Sequence, residues 1–235
     1  MRPALKAYIL PWLCFAALYG SQVVVAVLAV AGCVVSRGFA YWLGSPWGVF
    51  SVTAIGGLAA LGVVYLFLRR PSAGEYLRQL GLRFPPRDVS IPLVLLGLAL
   101  GFAASYLGSR FPAEAAANSS FLKTFANGSR EGAYLYAVML VAGPFLEELV
   151  MRGFLYQVFR KGYGVPVSVG ALVFIGTLTH WKVATASVWY FLMLALLQVT
   201  ICLAFEKTKN LWNCIAIHVA YNAVMAYFFL KAMYP

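Results

Sequence analysis

The chain has 235 residues, 63% of them hydrophobic and only 11% charged, with a formal net charge of +11. That balance excludes an ordinary soluble domain, in which roughly half the residues are apolar and about a quarter are charged. The Lys and Arg residues stand between apolar runs, not on one basic face, which excludes a nucleic-acid-binding module and leaves the lipid bilayer as the expected surroundings.

Apolar runs of about 20 residues cross a hydrocarbon core of about 30 Å. Here they predict spans over 7–31, 47–68, 89–108, 133–158, 164–181, 186–206 and 211–231. The expected fold class is all-α, a polytopic transmembrane helical bundle of about seven helices. Residues 1–132 supply N-terminal transmembrane helices and connecting loops, and residues 133–231 form a second part. The N-terminus, with Arg2 and Lys6 ahead of an apolar run that ends near Cys33, faintly resembles a signal peptide with a lipoprotein-like cleavage box. A signal core spans about 7 to 15 residues. The run from Ala7 to Val35 is longer, and reads as a membrane helix bent near Pro11.

The connection from Arg69 to Asp88 holds Arg69, Arg70, Arg78, Arg83 and Arg87, so it is expected on the cytoplasmic side, together with the N-terminus. Counting on along the spans places eleven Lys and Arg inside and six outside. The expected location is therefore the cell (inner) membrane, multi-pass, with the N-terminus cytoplasmic. Tyr76, Leu77, Leu80 and Leu82 interleave with the arginines, as in a short amphipathic helix on an anionic leaflet or in a solvated loop with snorkelling arginines. Asn118-Ser-Ser120 and Asn127-Gly-Ser129 match the glycosylation acceptor pattern on the outer side, a pattern short enough to arise by chance. Cys14, Cys33, Cys202 and Cys214 lack the paired spacing of a zinc site or a disulfide framework, and read as small packing residues.

The fourth span contains Gly143-Pro-Phe-Leu-Glu147-Glu148-Leu-Val-Met-Arg152-Gly153. A charge at mid-bilayer costs about 2.5 to 3.5 kcal/mol on insertion scales, so each of these groups needs a partner or a wet cavity. Glu148 and Arg152, four apart with the carboxylate first, have the favourable order for an ion pair on one helix face. Glu147 points about 100° away around the helix and addresses a different neighbour. The two histidines of the chain occur as Thr179-His180-Trp181 and in Ile217-His218-Val-Ala-Tyr-Asn222. His218 and Asn222 share a helix face and present an imidazole and an amide toward one point. Peptide hydrolysis needs a base to activate water and preorganised donors for the tetrahedral oxyanion, and this inventory contains both.

The order Glu-Glu-x-x-x-Arg, then a downstream His, then His-x-x-x-Asn resembles the CAAX protease and bacteriocin-processing family of glutamic-type intramembrane endopeptidases. The resemblance covers roughly residues 140–225 and makes residues 133–231 a protease core. It implies that Glu147 with His180 activates the attacking water, that Glu148 and Arg152 brace the site, that His218 with Asn222 holds the oxyanion, and that no cofactor or metal is required. The implied partner is a membrane-anchored protein or peptide substrate, and nothing in the chain selects among the prenylated tails, bacteriocin precursors and other membrane proteins that the family cleaves. The chain departs from the family in its second motif. Gly176 stands four residues before His180, where the family usually has Phe, and Phe174 lies two residues earlier.

Three other readings compete. Glutamates and histidines also ligate zinc, although there is no His-Glu-x-x-His helix. A proton- or ion-coupled transporter would use the same groups as a relay, but the first half of the chain has no corresponding polar cluster. A non-catalytic scaffold would be favoured by a missing Glu147 or His180, and both are present. One tension stands in the span assignment: Glu148 falls toward the inner end of its helix and His180 at the outer end of the next. The expected remedy is either a fifth span that is shortened, tilted or interrupted around Gly170 and Gly176, or span boundaries that differ from those above, with the chemistry kept.

Overall fold

The computed structural model describes residues 3–43, 45–68, 72–82, 89–110, 130–180 and 188–233. Both glycosylation patterns, Trp181 and four of the five arginines of the 69–88 connection lie outside the described residues. Among the described residues the structure is all helical: α1 (Pro3–Val35), α2 (Arg37–Leu43), α3 (Pro46–Phe67), α4 (Ala73–Gln79), α5 (Ile91–Arg110), α6 (Arg130–Val150), a π-helical segment (Met151–Tyr156), α7 (Gln157–Thr179), α8 (Val188–Thr208) and α9 (Leu211–Met233). The stretches Ile9–Val35, Ile91–Arg110, Arg130–Thr179, Val188–Thr208 and Leu211–Lys231 are long and apolar enough to cross a membrane, and Ser51–Phe67 is a shorter apolar stretch. Their outward faces carry large apolar side chains such as Leu28, Ile55, Phe102 and Phe174, as lipid requires.

The stretch from Arg130 to Thr179 is the part that positions the chemistry. The helical rod of α6 continues through the π segment and the start of α7 until Gly164, whose φ of 77° and ψ of −179° break it. Glycine alone occupies that region comfortably, and Pro166 then starts the returning leg in the first turn of a helix, where its missing N–H is harmless. The expected fourth span, ending at 158, is therefore extended to the Gly164 break, and the interruption lies at Gly164, not around Gly170 and Gly176. The two legs have matched lengths. Arg152 and Gly176 are each twelve residues from Gly164, and Glu148 and His180 each sixteen. Equal legs bring His180 level with Glu148, which removes the tension.

Helix α1 pairs with α3, the pair leans on α6 and α7, and α5 lies along α9. One core, including Leu18, Val64, Leu155, Phe159, Leu197 and Ile217, runs through helices from both parts of the chain. Residues 73–79 do form a helix, as one of the two expectations for the basic connection had it. Its apolar side chains meet protein instead of an anionic leaflet. Leu80 and Leu82 are buried, the Leu80 carbonyl would stand 2.9 Å from a Cβ on Gly153, and Leu211 N–H donates to the Gly81 carbonyl at 3.1 Å. Tyr76 O–H donates to the Leu61 carbonyl at 2.8 Å. Burial pushes this phenol up to about 12, so it remains a donor at any physiological pH. The short helix thus plugs one end of the bundle below the π segment.

Candidate active site

The centre of the bundle holds a fully buried ionic cluster. Glu148 is 0% and Arg152 1% exposed, and Arg152 Nη1 donates to Glu148 Oε1 at 2.9 Å, the i, i+4 pair that the spacing predicts. The same Oε1 accepts from His218 Nδ1 at 2.8 Å, an approach that joins α9 to α6. Arg152 Nη2 turns toward α8, where it donates to the Gln198 backbone carbonyl at 3.2 Å and to Gln198 Oε1. A buried ion pair is tolerable only with such additional hydrogen bonds around it. Two atoms of the cluster, Glu148 Oε2 and Arg152 Nε, are buried without a protein partner.

Glu147 occupies the neighbouring face. Its side chain is 45% exposed, and its Oε2 lies 4.0 Å from His218 Nε2. It lines a cavity of about 630 Å³ whose polar wall also contains Arg152, Gln198, Thr179 and His180, with Tyr19 of α1 at its edge. Small or slender residues of α3, among them Thr53, Ala54, Gly56 and Gly57, also line the cavity. His180 ends α7, and its Nδ1 lies 2.9 Å from the Gly176 carbonyl and 3.2 Å from Thr179 Oγ1. A carbonyl can only accept, so Nδ1 carries a proton, and in the neutral ring Nε2 then holds the lone pair that a base needs.

Glu147 and His180 thus face one cavity, Glu148 pairs with Arg152, and His218 joins both glutamates. Asn222 stands apart. Its Nδ2 donates to the Leu140 carbonyl of α6 at 2.7 Å, and neither it nor His218 lines the cavity. The spacing of His218 and Asn222 correctly put them on one face, but could not say that the face packs on α6.

The sequence reading missed Gln198, Thr179 and Tyr19. Gln198, 2% exposed, had a legible signal: it is the lone amide inside the apolar run 188–206, and the reasoning that singled out the glutamates applies to it. Tyr19 had none, since one tyrosine among fourteen carries no mark of what α1 packs against. The departure at Gly176 also finds its packing here, because a Cβ at that position would lie 2.7 Å from Gln198 Cδ. Cys14, Cys202 and Cys214 are buried free thiols, in keeping with a packing role. Among the described residues no three His, Cys, Asp or Glu side chains are grouped as a metal ion would require.

A family model described as type II CAAX prenyl endopeptidase, Rce1-like, matches residues 129–224, the stretch that contains all six motif residues. Among curated proteins, the UPF0177 protein YbdI of Lactococcus lactis subsp. lactis (strain IL1403) is 30% identical over 145 residues, which is 57% of this chain and 72% of that protein. No solved structure matches the chain.

Proposed function

Since this chain belongs to the CAAX protease and bacteriocin-processing family and is an integral membrane protease of CAAX type, we propose that it cleaves a membrane-anchored protein or peptide with a water activated by Glu147 and His180. The observation that carries the proposal is the shared cavity. Glu147, half-exposed within an otherwise buried charge cluster, and His180, whose Nδ1–H is held by the Gly176 carbonyl, open onto the same space from helices of opposite direction.

In this reading water attacks the scissile carbonyl carbon while Glu147 accepts a water proton, with the His180 Nε2 lone pair orienting the same water. The carbonyl oxygen becomes the oxyanion, and its donors by resemblance to the family are His218 and Asn222. Neither lines the cavity, so in this reading the substrate reaches past Glu147, whose Oε2 lies 4.0 Å from His218 Nε2, to meet them. With Nδ1–H given to Glu148, His218 donates to the oxyanion at Nε2 only when its ring is doubly protonated. Asn222 has a second amide N–H beyond the one given to Leu140. Collapse of the intermediate breaks the C–N bond, and the proton held by Glu147 passes to the departing amine. Glu148 and Arg152 touch no reacting atom in this scheme, and hold His218 and the α6 backbone in place. Bilayer walls of low dielectric strengthen each of these interactions.

The test is cleavage of membrane-anchored peptides by purified protein in detergent, with and without a strong chelator. Glu147→Ala and His180→Ala are expected to abolish chelator-resistant cleavage while the protein stays monodisperse. Cleavage retained in either variant would remove this mechanism. Chelator-sensitive cleavage would assign the same side chains to a zinc ion.

A further inference from the structure

Gln198 belongs to none of the motifs, yet it joins the two halves of the site. On one side its Oε1 and its backbone carbonyl both accept from Arg152 Nη2. On the other side its amide lies flat against α7, occupying the space a side chain at Gly176 would need. A Cβ there would stand 2.7 Å from Gln198 Cδ, 2.9 Å from Oε1 and 3.0 Å from Nε2. The carbonyl of that same Gly176 takes the Nδ1–H of His180 at 2.9 Å. One side chain therefore touches the Arg152–Glu148–His218 arm and the Gly176–His180 arm together.

We propose that Gln198 is a positioning residue for peptide hydrolysis, setting the distance at which the His180 end of α7 stands from Glu147 by holding Arg152 on one face and backing Gly176 on the other. The inference rests on the reading that Glu147 and His180 activate water. A merely space-filling role does not account for an amide here. Burying one in an apolar helix is unfavourable unless it is hydrogen-bonded, and a methionine would fill similar volume with no polar atom to satisfy. What the amide adds is an acceptor for Arg152 at the point where α7 comes closest to α8. The absent side chain at Gly176 is the complementary half of the device. With any Cβ present, the Gln198 amide has to swing away from α7 and its Oε1 leaves Arg152, which keeps only the backbone carbonyl of Gln198.

The experiment is a double-mutant cycle of Gly176→Ala and Gln198→Ala, read as kcat and KM on a peptide that the wild-type protein cleaves, with melting temperature measured alongside. Gly176→Ala opposes only the movable end of one side chain, so it is expected to fold, with a melting temperature lowered modestly by the hydrogen bond that Arg152 loses, and to lose kcat by about tenfold, with KM changed by less than about twofold, the pattern of a lost transition-state arrangement. In the Gln198→Ala background the same substitution has room and is expected to cost nothing further, since residues in contact are coupled. An unchanged kcat in Gly176→Ala overturns the proposal, and so does an equal loss in both backgrounds or a loss carried by KM. Should Gln198→Ala fail to fold, the Gly176→Ala result alone decides. Glu147→Ala in the same assay separates the two readings. Cleavage surviving there sinks the base assignment, whereas its abolition beside an unaffected Gly176→Ala sinks only the role of Gln198.

Discussion

Glu147 and Glu148 are adjacent in the chain but differ in what their removal would do. Glu148 is completely buried and serves Arg152 and His218 through a single oxygen, so Glu148→Ala leaves a buried guanidinium without its counter-charge. Breaking a buried pair from one side typically costs about 3 to 5 kcal/mol. Glu148→Ala and Arg152→Ala are therefore expected to lower the melting temperature sharply in detergent and to lose cleavage as a consequence. Glu147, 45% exposed on the cavity wall, has no such debt to its neighbours. Glu147→Ala is expected to melt like wild type while being inactive. Equal melting temperatures for the Glu147 and Glu148 variants would contradict this division of labour.

The break at Gly164 governs whether the helices that carry Glu147 and His180 are in register. Nothing lies within 4 Å of a Cβ built on Gly164, so the cost of a side chain there is in the backbone and not in a clash. Its φ of 77° with ψ of −179° is a conformation that costs other residues about 1 to 3 kcal/mol. Gly164→Ala is expected to lower unfolding stability by about that amount and to reduce cleavage through a shift of His180 along the bundle axis, whereas Gly170→Ala, also with open space but with negative φ, is expected to do neither. Thermal unfolding and cleavage rates of the two variants check this. The π segment just before the break serves the same end. From it Arg152 reaches Gln198 while Gly153 leaves room for the Leu80 carbonyl, and the Gln157 side-chain amide donates through Nε2 to both the Gly153 and the Gln79 carbonyls.

For the molecule as a whole, the short α4 unit ties the basic connection to the protease part. The positive-inside rule predicts that the 69–88 connection and the N-terminus are cytoplasmic, which would make the end of the bundle that α4 closes the cytoplasmic one. A thiol-labelling experiment at an introduced cysteine, Gln79→Cys, in a variant without the four native cysteines, is expected to react with a membrane-impermeant reagent only after the inner face is opened. Labelling in intact cells would reverse the orientation. The cavity lies between α3 and the helices that carry Glu147 and His180, so the N-terminal helices supply part of its wall although none of the motif residues reside on them.

The membrane helices and the buried ion pair were legible because each rests on a local rule: apolar length, the cost of a charge in lipid, and the i, i+4 neighbourhood that pairs Glu148 with Arg152 and aligns His218 with Asn222. The leg lengths on either side of Gly164 were also present in the chain, but only a known break point converts them into a height in the bundle, and a lone glycine does not announce a positive φ. Partners across helices were not legible at all. Whether Glu148 would meet His218, whether Asn222 would turn to the Leu140 carbonyl, and whether Gly176 would receive Gln198 each depend on rotations of whole helices about their axes. Apolar faces alone define those rotations weakly in a bundle that is apolar outside as well as in, so packing of the assembled helices decides them.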